Sequence, residues 1–350
     1  MSQVNGVPDR WRIGDDFVPK GRYVDRDFLE LEYQRLFPKV WQMACREEEV
    51  PDVGSYLEYT IGDQSIIVVR TAEGIRAHHN SCIHRGTRLV RRTGCVAEFR
   101  CPFHGWRFSL DGRCTFIHCE DEFDPRPDDY RRLRDVRCET WGGWVFINMD
   151  PDAPELLDWL DPIPAALGPF RPDAMRYAWH RRTVLPANWK TAIDAFIEGY
   201  HTPGTHPQYI RLGTKGEADD RPCDVAEYAF APYNPTETYR THSRFVFGVR
   251  KNAPVAGTAS LPNPEIMRNH IRYQLKELRA LNNEYDLQAA EELCRTDLGG
   301  KPFYDLFGKL RREYSEAAGV RAPRLSVEQM VGGQGSWHMF PTMVNLVEPG

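Results

Sequence analysis

The sequence predicts an α+β protein with two domains, of which the first is a small antiparallel β domain. The length of 350 residues exceeds that of one typical domain. Residues 56–149 alternate strand-like runs with tight-turn signals. Residues 188–201 and 263–294 instead show the apolar spacing of helices, so we expect the second half to mix helices with strands.

Composition and charge exclude several classes of protein. The chain is 41% apolar and 27% charged, as ordinary soluble proteins are. A net charge of −5 argues against a nucleic-acid binder. No apolar run reaches the roughly 18 residues of a membrane span, and the N-terminus lacks the apolar core of a secretory signal. Nine cysteines predict a reducing, cytoplasmic location in which some of them are metal ligands.

The first half begins with a predicted helix over 27–41, which Pro38 should end. Residues 56–80 then read as three strands separated by Gly-Asp and Glu-Gly turns. Residues 106–116 form a further predicted hairpin around an Asp-Gly turn, and 140–150 is a β-rich run.

The second half opens with the proline-rich stretch 151–174, which has the composition of a connector. A helix is predicted over 188–201, further helices over 263–294, and a strand over 336–348 that Pro341 breaks or edges. The predicted segments are a helical N-terminal segment 1–43, a β domain 44–150, a connector 151–175 and an α+β domain 176–350.

Two predicted loops of the β domain each carry one cysteine and one histidine. The pattern is Cys82-x-His84, then sixteen residues, then Cys101-x-x-His104. Thiolate and imidazole both bind iron and zinc. Structural zinc sites usually group cysteines in one knuckle and histidines in another, whereas a Rieske [2Fe–2S] cluster takes two Cys on one iron and two His on the other. The interleaving favours the cluster; a zinc site or chance burial are the alternatives.

A second group of metal-binding side chains lies in the predicted helix 188–201 and just after it. Asp194, Glu198 and His201 share one helix face by their spacing, and a Pro-Gly pair separates His201 from His206. Two histidines and a carboxylate with open positions form the facial triad of non-haem Fe(II) oxygenases. The alternative is that the two acids belong to a solvated helix face.

At these residues the sequence resembles a known family. Arg85-Gly86 after the first histidine, and Pro102, Gly105 and Trp106 around the second, are similar to Rieske domains. The segment Asn-Trp-Lys … Glu-x-Tyr-His … His resembles the catalytic motif of Rieske non-haem iron aromatic ring-hydroxylating oxygenases, large (α) subunit. This resemblance extends over essentially the whole chain.

The resemblance implies the roles of the site residues. They are a [2Fe–2S] cluster on Cys82, His84, Cys101 and His104, a mononuclear Fe(II) on His201 and His206, and a bridging carboxylate at Glu198. The second domain should be of the helix-grip (START/Bet v 1-like) kind. The implied reaction is O2-dependent hydroxylation of a hydrophobic, aromatic substrate. No acidic residue in 1–350 matches the family's third iron ligand, so we expect a catalytic domain truncated at its C-terminus.

The resemblance also implies partners. No G-x-G-x-x-G follows a strand, so a separate ferredoxin or flavin NAD(P)H reductase should donate electrons. A homotrimer is expected, with or without a small β subunit, in which Glu198 contacts His104 of a neighbouring subunit; nucleic acid and membrane are not expected partners. Three other functions stay open: a Rieske-type monooxygenase or oxidative demethylase on a non-aromatic or methoxy substrate, an electron carrier, and a zinc-stabilised binding protein.

Overall fold

The chain folds into two compact units. A computed structural model describes residues 8–14, 17–123, 131–215, 219, 221–222, 236–246, 263–299, 302–321, 323–326, 329 and 335–347. The first unit is Met1–Leu160 with Asp173–Met175, and the second is Asp161–Pro172 with Arg176–Gly350. Among the described residues, no helix is both long enough and apolar enough to cross a membrane.

The first unit begins with two helices, α1 (Gly21–Val24) and α2 (Arg26–Arg35). The helix predicted within 27–41 is confirmed, but it ends at Arg35, before the Pro38 that was expected to end it. A 3-10 turn at Phe37–Lys39 follows α2, with Pro38 in its first turn, where the missing proline N–H costs no hydrogen bond. The chain then enters the first strand.

Among the described residues of the first unit, ten antiparallel strands make two sheets. They are β1 (Gln42–Arg46), β2 (Ser55–Ile61), β3 (Gln64–Thr71), β4 (Gly74–His79), β5 (Thr93–Cys95), β6 (Phe99–Arg100), β7 (Arg107–Phe108), β8 (Cys114–Phe116), β9 (Asp135–Trp141) and β10 (Trp144–Asn148). The larger sheet has the order β1-β10-β9-β4-β3-β2-β5, and the smaller has the order β6-β7-β8. The predicted strands and hairpins of this region are confirmed.

Strand β3 is buried on both faces and so divides the apolar core in two. Ile66 and Val68 pack into one cluster with residues of β1, β2, β9 and β10. Ile67 and Val69, whose side chains point the other way, pack with Phe99, with both cysteines of the predicted metal loops and with Phe108. This second group of apolar side chains thus packs beneath the two loops that are predicted to hold the [2Fe–2S] cluster.

The proline-rich stretch 151–174 contains regular structure. It forms α3 (Leu156–Leu160) and α4 (Ile163–Leu167), and in each helix the first and last residues are buried. The composition of this stretch predicts a connector. Its leucines and isoleucine are instead spaced so that each of the two helices has a buried apolar face.

The second unit combines helices with a four-stranded antiparallel sheet. Its helices are α5 (Trp189–Asp194), α6 (Thr202–Thr205), α7 (Pro207–Lys215), α8 (Pro264–Tyr273), α9 (Glu284–Leu293) and α10 (Phe303–Ala317), and its strands are β11 (Thr236–Tyr239), β12 (His242–Phe245), β13 (Gly335–Met339) and β14 (Met343–Val347). The strands follow the order β11-β12-β13-β14. Pro341 lies in the turn between β13 and β14, so the predicted strand over 336–348 is a hairpin. The α+β fold class is confirmed.

Helices α8, α9 and α10 pack around a shared apolar cluster that includes Ile271, Leu293 and Phe307. An ion pair lies inside this assembly: Arg311 Nε is 2.5 Å from Asp286 Oδ1, and the two side chains are 7% and 0% exposed. Burial raises the pKa of the Asp286 carboxyl, while Arg311 lowers it. Each charge of this ion pair therefore depends on the other, because either one buried alone would strongly destabilise the fold.

Replacing Arg311 by methionine should destabilise the second unit by about 3–5 kcal/mol, because Asp286 would lose its partner while staying buried. Urea unfolding followed by circular dichroism measures the change. Lys309→Met on the same helix is the control, since the Lys309 side chain is 69% exposed and its ion pair with Glu313 is solvated. Equal effects of the two substitutions would contradict this prediction.

Candidate metal centres

The two predicted cluster loops have the same backbone geometry. In the first loop the amide of Cys82 donates to the carbonyl five residues further on, at 2.9 Å, and the amide of Gly86 donates back to the Cys82 carbonyl, at 2.8 Å. In the second loop the amide of Cys101 makes the matching bond at 2.8 Å, and Gly105 donates back to Cys101 at 3.0 Å. Each loop is therefore closed at the same two points around its cysteine.

A glycine with positive φ makes this closure possible. Gly86 has φ +72° and Gly105 has φ +73°, in the left-handed region that a side chain disfavours. Each glycine lies four residues after its cysteine. In the sequence these glycines are recognised through the family resemblance. Aligning the two loop sequences on their cysteines also shows that the glycines share one position.

The four predicted ligands divide into a buried pair and an outer pair. Cys82 and Cys101 are 3% and 2% exposed. Burial raises the pKa of the Cys82 thiol to about 11, and the adjacent Cys101 thiol adds to the rise, so the free thiol is neutral. At the outer side, Nδ1 of His84 lies 3.1 Å from Nδ1 of His104. Two sulfur donors thus face inward from two loops whose imidazole donors meet at the surface.

Aromatic side chains fix the His84 ring. Trp106 stacks on it with 4.9 Å between ring centroids and 7° between planes. Phe123 meets the same ring edge-on at 6.0 Å. Because Trp106 is only 3% exposed, it is held by the core and gives His84 a rigid wall.

A buried amide anchors the base of the first loop. Asn80 is 2% exposed; its Nδ2 donates to the carbonyl of Val90 at 2.8 Å, and its Oδ1 accepts from the amide of Leu89 at 2.9 Å. The side chain therefore joins the chain entering the loop to the chain leaving it. The role of Asn80 was not predicted from the sequence, where its one signal is the position of an asparagine directly after a predicted strand.

The donor set fits a two-iron cluster better than a single metal ion. Across the described ranges, no three His, Cys, Asp or Glu side chains converge closely enough to hold one metal. A tetrahedral zinc site would need the four donors around one point. A Rieske cluster instead separates the thiol pair from the imidazole pair, as the two loops do here.

The second predicted site lies beyond α5, and there the predicted helix 188–201 is wrong. Helix α5 ends at Asp194. The Glu198 carboxylate accepts hydrogen bonds from the backbone amides of Tyr200 and, at 3.2 Å, of His201. These bonds compete with the helical ladder and turn the chain. The apolar residues after Asp194, whose spacing contributed to the helix prediction, are correspondingly not buried: Phe196 is 59% and Tyr200 is 96% exposed.

Glu198 and His201 are nevertheless neighbours. Oε1 of Glu198 lies 2.6 Å from Nδ1 of His201, with the side chains 40% and 30% exposed. Since the carboxylate is an acceptor, Nδ1 of His201 carries the proton. This tautomer leaves Nε2 with its lone pair available to a metal.

The structure brings His201 and His206 together, with 5.5 Å between their ring centroids and 76° between planes. Pro203 lies in the first turn of α6, where proline is favoured. The single turn of α6 returns His206 towards His201. Burial lowers the pKa of His338 on β13, and the charge of Asp194, the last residue of α5, raises it by less.

Comparison with known families identifies both regions. The model of the Rieske [2Fe-2S] domain matches residues 40–133, and that of the ring hydroxylating alpha subunit catalytic domain matches residues 170–350. The chain therefore belongs to the Rieske ring-hydroxylating oxygenase α subunits. The cofactors of these two domains are a [2Fe–2S] cluster and a mononuclear iron, as the sequence predicted.

Curated relatives include both monooxygenases and a dioxygenase. The glycine betaine monooxygenase oxygenase subunit of Pseudomonas aeruginosa is 34% identical over 215 residues, which are 61% of this chain and 49% of that protein. The carnitine monooxygenase oxygenase subunit of Escherichia coli K12 is 34% identical over 55% of this chain and 52% of its own length. Biphenyl 2,3-dioxygenase subunit alpha of Rhodococcus jostii is 32% identical over 52% of this chain and 41% of its own. The chain spans about half the length of these relatives.

Solved structures show the same fold. Naphthalene 1,2-dioxygenase from Rhodococcus sp., bound to indole, superposes with a TM-score of 0.56 at 29% identity, over 68% of this chain and 54% of that chain. A quaternary ammonium Rieske monooxygenase in complex with an inhibitor gives a TM-score of 0.54 at 26% identity, over 66% of this chain and 62% of its own. The relatives are oxidoreductases that use O2.

Cys82→Ser should abolish cluster assembly, because the buried loop would lose the thiolate that its iron requires. Protein assembled with iron and sulfide should be red-brown in the parent and colourless in the variant, which acid-labile sulfide analysis quantifies. Cys95→Ser is the matched control, since Cys95 is an exposed thiol outside both loops. Stoichiometric zinc without sulfide in the parent protein would contradict the assignment.

Proposed function

We propose that this chain is the oxygenase component of a Rieske monooxygenase or dioxygenase. Cys82, His84, Cys101 and His104 would hold the [2Fe–2S] cluster, and His201 with His206 would hold the mononuclear Fe(II). When bound, the cluster supplies electrons and the iron activates O2. The observation that carries the proposal is the presence, in one chain, of two paired loops with a Cys and a His each and of a carboxylate-oriented histidine pair.

The protein's own residues set the conditions at the cluster loops. The apolar residues around Cys82 and Cys101 exclude water from the sulfur side. The imidazoles of His84 and His104 lie at the solvent side, so electrons would enter and leave near the histidines. Trp106 keeps the His84 ring in one orientation. Rigid residues around the cluster reduce the structural rearrangement that accompanies a change of its charge during electron transfer.

Glu198 would act as an orienting group for His201. One carboxylate oxygen accepts the Nδ1 proton, and the other is held by two backbone amides. This arrangement fixes both the tautomer and the direction of the ring before any metal binds. Glu198 is also part exposed, and His104 is exposed, which leaves each able to contact the other across a subunit boundary. We therefore propose a homotrimer in which electrons pass from the cluster of one subunit to the mononuclear iron of its neighbour.

For the substrate, we place a quaternary ammonium compound first and an aromatic compound second. The glycine betaine and carnitine monooxygenase relatives support the first class, which replaces the aromatic substrate of the sequence analysis as the leading candidate. The biphenyl dioxygenase relative and the likeness to naphthalene dioxygenase support the second. Insertion of one oxygen atom of O2 into an N-methyl C–H bond would give an N-hydroxymethyl ammonium group, while two electrons from the donor and two protons reduce the other oxygen atom to water. Breaking the C–N bond would then release formaldehyde, a proton and the tertiary amine. Attack on an aromatic ring would give hydroxylated ring products instead.

A substrate panel separates these classes. Iron-loaded protein with an electron donor and O2 should release formaldehyde with glycine betaine, or trimethylamine or formaldehyde with carnitine, and give no hydroxylated product from biphenyl. Formaldehyde assays and chromatography of the ring compounds make the measurement. Ring hydroxylation without formaldehyde would favour an aromatic substrate. Product formation that does not require O2, for every compound, would reject the oxygenase function.

Glu198→Gln should slow single-turnover product formation by about 10–100-fold, the usual effect of losing a carboxylate that orients a metal-binding histidine. The fold and the cluster colour should be retained, since neither loop of the first unit changes. Glu265→Gln, an exposed acid at the start of α8, is the control and should leave the rate unchanged. An unaltered rate in Glu198→Gln with both iron sites loaded would show that Glu198 is only a solvated acid.

A further inference from the structure

The two imidazoles that would bind the cluster have different surroundings. His104 is exposed, whereas His84 is only partly exposed. Two aromatic side chains contact the His84 ring: Trp106 stacks on it, and Phe123 meets it edge-on with 6.0 Å between centroids. Phe123 also meets Trp106 edge-on, at 5.6 Å. An aromatic corner made of Trp106 and Phe123 therefore covers one imidazole and leaves the other open.

The two rings of this corner come from different parts of the chain. Trp106 is 3% exposed, and its carbonyl closes the second loop. Phe123 instead follows the 3-10 turn Glu120–Glu122, and its amide donates to the carbonyl of Glu120 at 3.1 Å. An ion pair of 2.7 Å between Arg131 and Glu120 holds this turn from the other side. Phe123 can therefore be replaced without altering the sequence of either loop.

The cover over an imidazole matters because the cluster changes its charge when it accepts an electron. Two ferric ions, two sulfides and two thiolates sum to zero, so with neutral imidazoles the oxidised site is neutral and the reduced site is negative. Water stabilises a charge and apolar side chains do not, so an apolar cover disfavours the reduced form. Solvent exposure is accordingly one of the factors that set the reduction potential of an iron–sulfur cluster.

We propose that Phe123 lowers the reduction potential of the cluster by keeping water away from the His84 side. This proposal rests on the proposed function, because it assumes that the paired loops hold a [2Fe–2S] cluster. The step concerned is the uptake of one electron from a one-electron donor, which is oxidised; no bond forms or breaks. A lower potential makes the reduced cluster a stronger electron donor to the mononuclear iron.

Negative charges beside Phe123 act in the same direction and have to be separated from it. Glu120, Asp121 and Glu122 directly precede Phe123 and are exposed. Their charges also disfavour a negative, reduced cluster, but salt screens charges that lie in water. Exclusion of water by an apolar ring does not depend on salt. The salt dependence of the potential therefore distinguishes the ring from the acidic turn.

Redox titration of the iron- and sulfide-loaded protein at neutral pH, followed by visible absorption, tests the proposal. In Phe123→Ala the ratio of reduced to oxidised cluster at a fixed applied potential should rise by about threefold or more, which corresponds to about 28 mV for a one-electron couple. The shift should persist at high salt. Phe123→Leu keeps an apolar side chain at this position and should stay close to the parent.

Phe116→Ala is the matched control. Phe116 lies on β8, is 44% exposed, and has the Arg107 guanidinium over its ring. The same loss of a phenyl group there should leave the potential unchanged. If Phe123→Ala fails to assemble a cluster, Phe123→Gln, which replaces the ring by a polar amide on a long side chain, should show the rise in potential.

Water access to the cluster is measured separately by deuterium coupling. After exchange into heavy water, pulsed electron paramagnetic resonance of the reduced cluster should show stronger deuterium coupling in Phe123→Ala than in the parent or in Phe116→Ala. A parent protein that assembles no cluster would reject the proposed function and this proposal with it. In cluster-loaded protein, a potential that does not rise in Phe123→Ala and Phe123→Gln would overturn the role of Phe123 alone. So would a shift that disappears at high salt, since it would belong to the acidic turn.

Discussion

The structure of the first unit depends on holding two short loops side by side in the same conformation. Each loop is closed by two backbone hydrogen bonds at its cysteine, and each needs a glycine with positive φ. The closure presents a thiol to the core and an imidazole to the surface. Two loops of this shape give four donors that neither could supply alone. The double-sided burial of β3 and the Asn80 anchor keep the loops in register.

In the proposed cluster site the thiols are buried and the imidazoles lie at the surface. The buried side would protect the cluster from water, and the imidazole side would be where electrons enter and leave. Burial disfavours a free thiolate at Cys82, so the thiolate form needs the positive charge of a metal. The two imidazoles meet on the opposite side of the loops from the buried thiols. In the second unit the Glu198 carboxylate serves a comparable purpose by fixing the tautomer of His201. Each proposed metal site is therefore shaped by the protein before the metal binds.

Sequence patterns predicted the elements whose signals are local. Alternating apolar residues and Gly-containing turns located β2, β3 and β4, and cysteine and histidine spacing located both candidate sites. The helix 188–201 was predicted wrongly because its apolar spacing continues past Asp194, whereas the Glu198 carboxylate binds the following amides and ends the regular structure. The roles of Trp106 and Asn80 depend on contacts that spacing does not encode.

We propose that two cysteines and two histidines from the paired loops hold one [2Fe–2S] cluster. Pulsed electron paramagnetic resonance on the reduced, iron- and sulfide-loaded protein tests it most directly, because histidine nitrogens bound to a cluster couple to its unpaired electron. We expect two histidine nitrogen couplings in the parent protein and one after His104→Cys. A reduced cluster without nitrogen coupling, or a spectrum unchanged by His104→Cys, would contradict it.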